Sequence, residues 1–176
     1  MERCRKGERH AQRELYGLYA TAMYNLCVRM TGDTAEAQDV LQESFIDAFT
    51  KLNSFKGDST FGAWLKRIVV NNCISALRKK DRLNEVELPP HANGTPVLDD
   101  AGPELELSVQ RIHLAIGTLP DGCRNVFTLY SLEGYDHQEI SQIMGISVST
   151  SKSQYHRARK LLQASLQKTK HNEPTR

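Results

Sequence analysis

Apolar residues in this chain recur at intervals of three and four almost throughout, and no stretch alternates apolar with polar as a half-buried strand would. A chain patterned in this way can bury its apolar surface only by forming helices and packing their faces together, so the expected fold is all-α. The pattern breaks once. From Leu83 to Pro103 there is no aromatic residue and no apolar period, and the stretch carries Pro89-Pro90, Asn93-Gly94, Pro96 and Gly102-Pro103, the composition of turns and tethers. Two small helical domains are therefore expected, over residues 8–82 and 104–168, joined by a flexible linker over 83–103. A flexible linker of that length has a relaxed span of ~25 Å, enough for the two domains to reach separate parts of one large target.

In the first domain the spacing predicts a helix from Glu8 to Met30, with Leu15, Leu18, Tyr19, Ala22, Met23 and Leu26 on its buried side and Thr31-Gly32 as its stop. A second helix opens with Asp33 and Glu36 at capping-box spacing and buries Ala37, Val40, Leu41, Phe45, Ala48 and Leu52. After a loop from Asn53 to Ser59, a third buries Phe61, Trp64, Leu65, Ile68, Val69, Asn72 or Cys73, and Ala76. In the second domain a helix from Leu105 to Thr118 and another starting at Pro120 precede a helix-turn-helix: Asp136 to Met144, the turn Gly145-Ile146-Ser147, then Ser147 to Leu166. The glycine can take a left-handed conformation, Ile146 can plug the small core, and Ser147 can cap the helix that follows.

On that last helix Val148, Ser151, Tyr155, Ala158 and Leu162 share one stripe, while Ser149, Lys152, Ser153, His156, Arg157 and Lys160 lie largely away from it. Hydroxyls and amides reach base edges or phosphate oxygens, and lysine and arginine neutralise the backbone or read guanine. Such a face suits a helix laid in a major groove.

Composition excludes several other classes. The hydrophobic fraction of 39% is ample for folding, yet no run approaches the ~20 apolar residues of a membrane span. No apolar signal core follows Met1-Glu2-Arg3-Cys4-Arg5-Lys6, so a cytoplasmic location without membrane insertion is expected. Cys4, Cys27, Cys73 and Cys123 are scattered, the last three inside helical patterns where they read as small core residues of a reducing compartment. The six histidines show no ligand spacing, so no metal, no cofactor and no catalytic cluster is expected. The net charge is only +2, but it is segregated. Thr150 to Arg176 holds Lys152, Arg157, Arg159, Lys160, Lys168, Lys170 and Arg176 against the single acid Glu173, whereas Asn84 to Leu107 holds Glu85, Glu87, Asp99, Asp100, Glu104 and Glu106 with no Lys or Arg. Over a screening length of roughly 8 Å a partner meets the local field and not the sum.

The first domain carries two polar faces. Glu36, Asp39, Gln42, Glu43 and Asp47 form an acidic surface on the second helix, where like charges at close spacing cost stability and a partner would give them a use. Arg67, Asn71, Ser75 and Arg78 make the opposite stripe on the third, followed by Lys79, Lys80 and Arg82. The loop Asn53 to Thr60 adds an aromatic, a lysine, a glycine and several short polar groups.

Asp39-Val40-Leu41-Gln42-Glu43-Ser44-Phe45, Ser54-Phe55-Lys56-Gly57-Asp58-Ser59, Trp64-Leu65 and Arg67-Ile68-Val69-Val70-Asn71 closely resemble region 2 of the bacterial extracytoplasmic-function sigma factors. Leu119-Pro120, Glu133-Gly134-Tyr135, Glu139-Ile140 and Arg157-Ala158-Arg159 resemble region 4 of the same family, in the same order. The resemblance implies a protein that binds core RNA polymerase, directs it to promoters and helps to open the DNA. By that resemblance Asp39, Gln42 and Glu43 match the face that docks on the clamp helices of the largest polymerase subunit, and region 4 would meet the flap. Ser54, Phe55, Lys56, Gly57, Asp58 and Ser59 match the segment that captures a flipped base of the minus-10 element, and Arg67 and Asn71 match positions facing that DNA. Ser149, Thr150, Lys152, Ser153, His156, Arg157 and Lys160 belong to the surface that reads the minus-35 duplex. An anti-sigma factor is a family expectation. Two positions depart from the pattern: Ser151 stands where a small aliphatic residue is common, and Gln154 where arginine is frequent. A conventional helix-turn-helix regulator is the alternative; it would explain the second domain but leave the loop after the second helix without a role.

Overall fold

The computed structural model describes residues 1–84 and 111–171, and among these residues all regular structure is helical. The chain divides into two compact units, Met1–His91 and Ala92–Arg176. Their boundary lies outside the described residues, as do the acids Glu85, Glu87, Asp99 and Asp100 of the expected linker and the start of the helix expected at Leu105. The first unit contains α1 (Glu2–Arg5), α2 (Arg9–Thr31), α3 (Thr34–Thr50), a 3-10 turn (Leu52–Ser54) and α4 (Phe61–Asn84). Thus α4 runs through the two positions at which the linker was expected to begin. The second unit contains α5 (111–117), α6 (Asp121–Phe127) continued by a π-helical turn (Thr128–Leu132), α7 (His137–Met144) and α8 (Val148–His171).

In the first unit α2, α3 and α4 pack on one another pairwise. Gly32, at φ 75, ends α2, and Asp33 caps α3 by accepting from the Glu36 amide at 2.9 Å. The expected capping box is only half made, because the Glu36 carboxylate turns to Lys80 Nζ of α4 at 2.8 Å instead. Ala37, Val40, Leu41, Phe45, Ala48 and Leu52 are buried as the α3 pattern requires. On α2 the expected stripe holds in part: Met23 and Leu26 are buried and Leu15 and Tyr19 half-buried, but Ala22 faces solvent and Leu18 is 75% exposed, while Met30 joins the expected Cys27 in the core. Apolar residues occur around most of α2, so its buried side is chosen by where α3 and α4 lie. On α4 Cys73 takes the core position. Half-buried Asn72 donates from Nδ2 to Ser44 Oγ at 3.2 Å and to Asp47 Oδ2 at 3.3 Å. Val70, Ile74 and Leu77 are also buried, widening the stripe because α4 meets two helices. All four cysteines are buried, including Cys4, which the periodicity did not place in the core. A hydrogen bond with Cys27, followed by burial, pushes the Cys73 thiol well above its ordinary value.

In the second unit Ala115, Ile116, Leu119, Cys123, Ala158 and Leu162 form the core, with Phe127 and Leu166 against it. The guanidinium of buried Arg124 is held by Asp121 at 2.8 Å and by the Leu119 carbonyl at 3.2 Å, which ties the start of α6 to the preceding turn. Such pairing matters because a buried unpaired charge costs several kcal/mol.

Candidate nucleic-acid interface

A helix of only eight residues does not form alone in water, so α7 depends on its ends and its contacts. Asp136 Oδ1 accepts from the amides of Gln138 at 2.7 Å and Glu139 at 2.8 Å, and Glu139 Oε2 accepts from the Asp136 amide at 2.8 Å. Here the capping box is complete. At the other end Gly145 adopts φ 66, a conformation that costs an L side chain energy. The Ile146 amide returns to the Ser141 carbonyl at 3.2 Å, and Ser141 Oγ donates to the Ile146 carbonyl at 2.6 Å. Ser147 then caps α8, its Oγ accepting from the Thr150 amide at 3.0 Å. Ile140 is fully buried, while Ile146 is only half-buried.

The two helices are locked by an aromatic set. Tyr130, on the π turn, stacks on His137 at 4.5 Å and meets Tyr155 of α8 at 4.6 Å, and His137 meets Tyr155 edge-on at 5.8 Å. Ser151 is fully buried, and its Oγ lies 2.9 Å from His137 Nδ1. This pairing supplies the physical reason for a hydroxyl on the buried stripe: the imidazole satisfies it.

With that side occupied, Ser149, Thr150, Lys152, Ser153, His156, Arg157 and Lys160 are all exposed, on one polar and cationic face of α8. Ser149, Thr150, Ser153, Gln154 and Arg157 line a shallow concavity of about 280 Å³. Gln154 was not among the expected site residues. It sits at the edge of the face, with Oε1 accepting from the Cys123 thiol at 2.8 Å, and the only signal of it in the sequence was its departure from the family's arginine.

In the first unit the loop after α3 is anchored at both roots. Phe55 is 8% exposed, and its ring packs against Trp64 at 5.3 Å and Phe61 at 5.9 Å. Its side chain therefore packs in the aromatic core at the root of the loop. Ser54 lies in the 3-10 turn, its Oγ donating to the Lys51 carbonyl at 2.6 Å. Lys56, Gly57, Asp58 and Ser59 form the exposed tip, with Gly57 at φ 86. At the far root Thr60 Oγ1 accepts from the Ala63 amide at 3.2 Å and caps α4. Arg67 and Asn71 are exposed one turn apart on α4. Further along, Ser75, Arg78, Lys79 and Arg82 line a concavity, but Lys80 leaves this basic stripe for Glu36.

The acidic face of α3 separates by use. Glu36 is paired with Lys80, and Asp47 with Lys51 at 3.2 Å and with Asn72. Asp39, Gln42 and Glu43 remain exposed. Ile46, 61% exposed, lies one turn further along from Gln42 and Glu43, an apolar residue that the sequence reading did not include. The structure thus keeps three separate polar surfaces, two of them on the first unit. Among the described residues no group of three or more His, Cys, Asp or Glu is placed to hold a metal, and no helix is long and apolar enough to cross a membrane.

Two known families match successive parts of the chain. The sigma-70 region 2 family matches residues 15–83 and the sigma-70 region 4 family matches residues 109–162. The chain is 34% identical to the extracytoplasmic-function RNA polymerase sigma factor SigW of Bacillus subtilis, over 94% of each chain. It is 33% identical to the RNA polymerase sigma-H factor of Pseudomonas aeruginosa, over 95% of this chain and 92% of that one. Among solved structures, the sigma factor RpoE of Bartonella quintana, in complex with the anti-sigma factor NepR, shares the fold at a TM-score of 0.64 and 24% identity, covering 88% of this chain and 96% of that one. CnrH in complex with the cytosolic domain of CnrY shares it at a TM-score of 0.53, with 94% of each chain covered. A helix-turn-helix behind a separate helical unit, matched in order along nearly the whole chain, makes this protein a member of the extracytoplasmic-function sigma factors of the sigma-70 family.

Proposed function

We propose that this chain binds core RNA polymerase, directs it to promoters bearing minus-35 and minus-10 elements, and aids strand opening. The observation that carries this reading is the exposed polar and cationic face of α8 behind a fully capped turn, coupled to family membership. In this reading Ser149, Thr150, Lys152, Ser153, His156, Arg157 and Lys160 contact the minus-35 duplex. The loop tip Lys56 to Ser59, with Ser54 at its root and Arg67 and Asn71 beside it, receives the minus-10 strand, while Phe55 supports the loop from within. Asp39, Gln42 and Glu43 dock on the clamp helices of the largest polymerase subunit, and the second domain meets the flap.

The work is done by binding alone. Each base step opened costs ~1.4 kcal/mol, and extruding one base costs a few kcal/mol more. A pocket that holds the extruded base offsets that cost only for the base it fits. Two modules on one tether make the second contact effectively intramolecular, so two weak contacts act as one strong one when their spacing suits. The protein therefore needs no catalytic residue, metal or cofactor of its own, and its place is the cytoplasm, where polymerase and promoter are found. The acidic linker is proposed to imitate nucleic acid within a positive polymerase channel. An anti-sigma factor is a further proposed partner, supported by the two solved complexes to which the fold is similar.

Run-off transcription from a genomic promoter library, with bacterial core polymerase and with or without this protein, tests the reading. Protein-dependent transcripts sharing two upstream elements at fixed spacing are expected, and Asn71→Ala is expected to weaken them. If the protein footprints duplex DNA alone and confers no initiation on core polymerase, it is a conventional regulator instead.

A further inference from the structure

Residues 1–14 lie outside both family matches, which cover 15–83 and 109–162, yet the first few of them reach the loop proposed to receive the minus-10 base. Four residues cannot hold a helix by themselves, so the placement of α1 needs external ties, and the structure provides them. Cys4 is buried at 5% exposure. Its carbonyl accepts from Gln12 Nε2 at 3.4 Å, Arg3 pairs with Glu8 at 2.8 Å, and the Glu8 amide returns to the Arg3 carbonyl at 3.2 Å. So held, α1 packs on the 3-10 turn Leu52–Ser54, and Arg5 Nη2 donates to the Phe55 carbonyl at 2.6 Å.

That carbonyl is the last atom group before the loop tip. Phe55 is then fixed three ways: its ring by Phe61 and Trp64, its amide by the Leu52 carbonyl at 3.2 Å, and its carbonyl by Arg5. The next four residues are exposed. Arg5 is itself exposed whereas Phe55 is buried, so the bond reaches from the surface to the backbone of a core residue. Its effect is to orient the peptide from which Lys56 and Gly57 depart, and a charged donor to a carbonyl is the strong form of such a bond.

We infer that Arg5 is a positioning residue for promoter opening: through the Phe55 carbonyl it sets the root of the loop that holds the extruded minus-10 base. The inference rests on the proposed role of that loop. It acts on DNA only through the loop, which separates it from a direct phosphate contact by an arginine on the same face.

The test uses the full chain assembled with core polymerase and single-stranded oligonucleotides carrying the minus-10 sequence of a promoter recovered by run-off. Each oligonucleotide is made intact and with an abasic site at each position in turn, and binding is read by fluorescence anisotropy. With the wild-type protein, one position is expected to lose affinity strongly when abasic. Arg5→Ala should weaken the intact oligonucleotide about tenfold, the low end of what loss of one hydrogen bond from a charged donor costs, but should add nothing once that base is gone. Arg5→Lys, which keeps a donor, should recover most of the loss. Additive losses, with Arg5→Ala costing the same on intact and abasic strands, would mean that Arg5 touches the DNA or acts elsewhere, and would overturn the inference. No loss at all would overturn it too. If no abasic position matters to the wild-type protein, base capture by the loop is itself wrong and the role of Arg5 falls with it.

Discussion

Replacing Asp136 by alanine removes the acceptor of two backbone amides at the start of α7 and leaves Glu139 with one half of a broken box. Loss of an N-cap costs ~1 kcal/mol, with a range of about 0.5 to 2, and an acid beside the helix N-terminus adds a few tenths through the helix dipole. The loss belongs at the upper part of that range, because an eight-residue helix has few other supports. A deficit of about 1.5 kcal/mol lowers the melting temperature of a unit this small by roughly 6 to 12 °C.

The molecule contains its own control. Its single tryptophan, Trp64, lies in α4 of the first unit, so tryptophan emission follows that unit, whereas far-ultraviolet circular dichroism follows both. In Asp136→Ala the dichroism melt should gain an earlier component while the Trp64 melt stays in place. Asp136→Asn, which keeps a cap, should recover most of the shift. Combining Asp136→Ala with Glu139→Ala should cost less than the sum of the two, since the residues share one box. If Trp64 emission moves by the same amount, the two units do not melt independently; if neither signal moves, the box does not hold α7.

Four further outcomes follow from the same contacts. Phe55→Ala should destabilise the first unit by about 3 to 5 kcal/mol, read from the Trp64 melt, whereas Lys56→Ala at the exposed tip should stay within about 0.5 kcal/mol and still slow strand opening. Arg157→Ala should reduce the slope of log affinity against log salt for minus-35 duplex by about 0.9, the share of one phosphate neutralised on B-form DNA. Asp39→Lys should weaken association with core polymerase about tenfold in a competition assay at low salt, without moving the Trp64 melt. The Cys73 and Cys123 thiols are both raised, Cys73 first by its bond with Cys27 and Cys123 first by burial. The folded chain therefore keeps protons that the unfolded chain releases near the ordinary thiol value of 9.0. The stability contributed by these thiols should be fully present below pH 9 and be lost as the pH rises above it, and serine at Cys73 should flatten that limb.

Periodicity was most informative where a helix buries one narrow side. On α8 the stripe Val148, Ser151, Tyr155, Ala158 and Leu162 and the opposite polar face are both as the spacing predicts, because α8 packs on only one side. On α2 apolar residues occur nearly all round, so the spacing could not distinguish Leu18 from Cys27, and only the arrival of α3 and α4 decides. Spacing also cannot see tertiary partners. Asp33 with Glu36 and Asp136 with Glu139 are the same four-residue signal, but the first box is half made because Lys80, far along the chain, takes the glutamate. Ser151 looked out of place until His137 was seen to pair with it, and the contact of Arg5 with Phe55 spans 50 residues. Phe55 reads both ways in sequence, because a loop aromatic fits a binding surface and a core equally well, and the neighbouring rings of Phe61 and Trp64 are what bury it.

The residues proposed to meet polymerase and DNA share a property that follows from this comparison. On α3 five polar residues stood on one surface; Glu36 and Asp47 are consumed by contacts inside the unit, and Asp39, Gln42 and Glu43 are left exposed. On α4 Lys80 is consumed and Arg67 and Asn71 are left exposed. On α8 the hydroxyl of Ser151 is consumed by His137, while Lys152, Ser153, His156 and Arg157 remain outward. Like charges held together on a surface without internal pairing cost folding energy, so a fold that keeps them must recover that cost on association. For a factor whose activity is binding, the folding and binding sets should be separable: substitutions at the consumed residues should move melting, and substitutions at the exposed ones should move affinity with the melt unchanged. A broad overlap between the two sets, found by substituting Glu36, Asp47 and Ser151 beside Asp39, Arg67 and Arg157, would show that these surfaces are solvated faces and that the docking sites lie elsewhere.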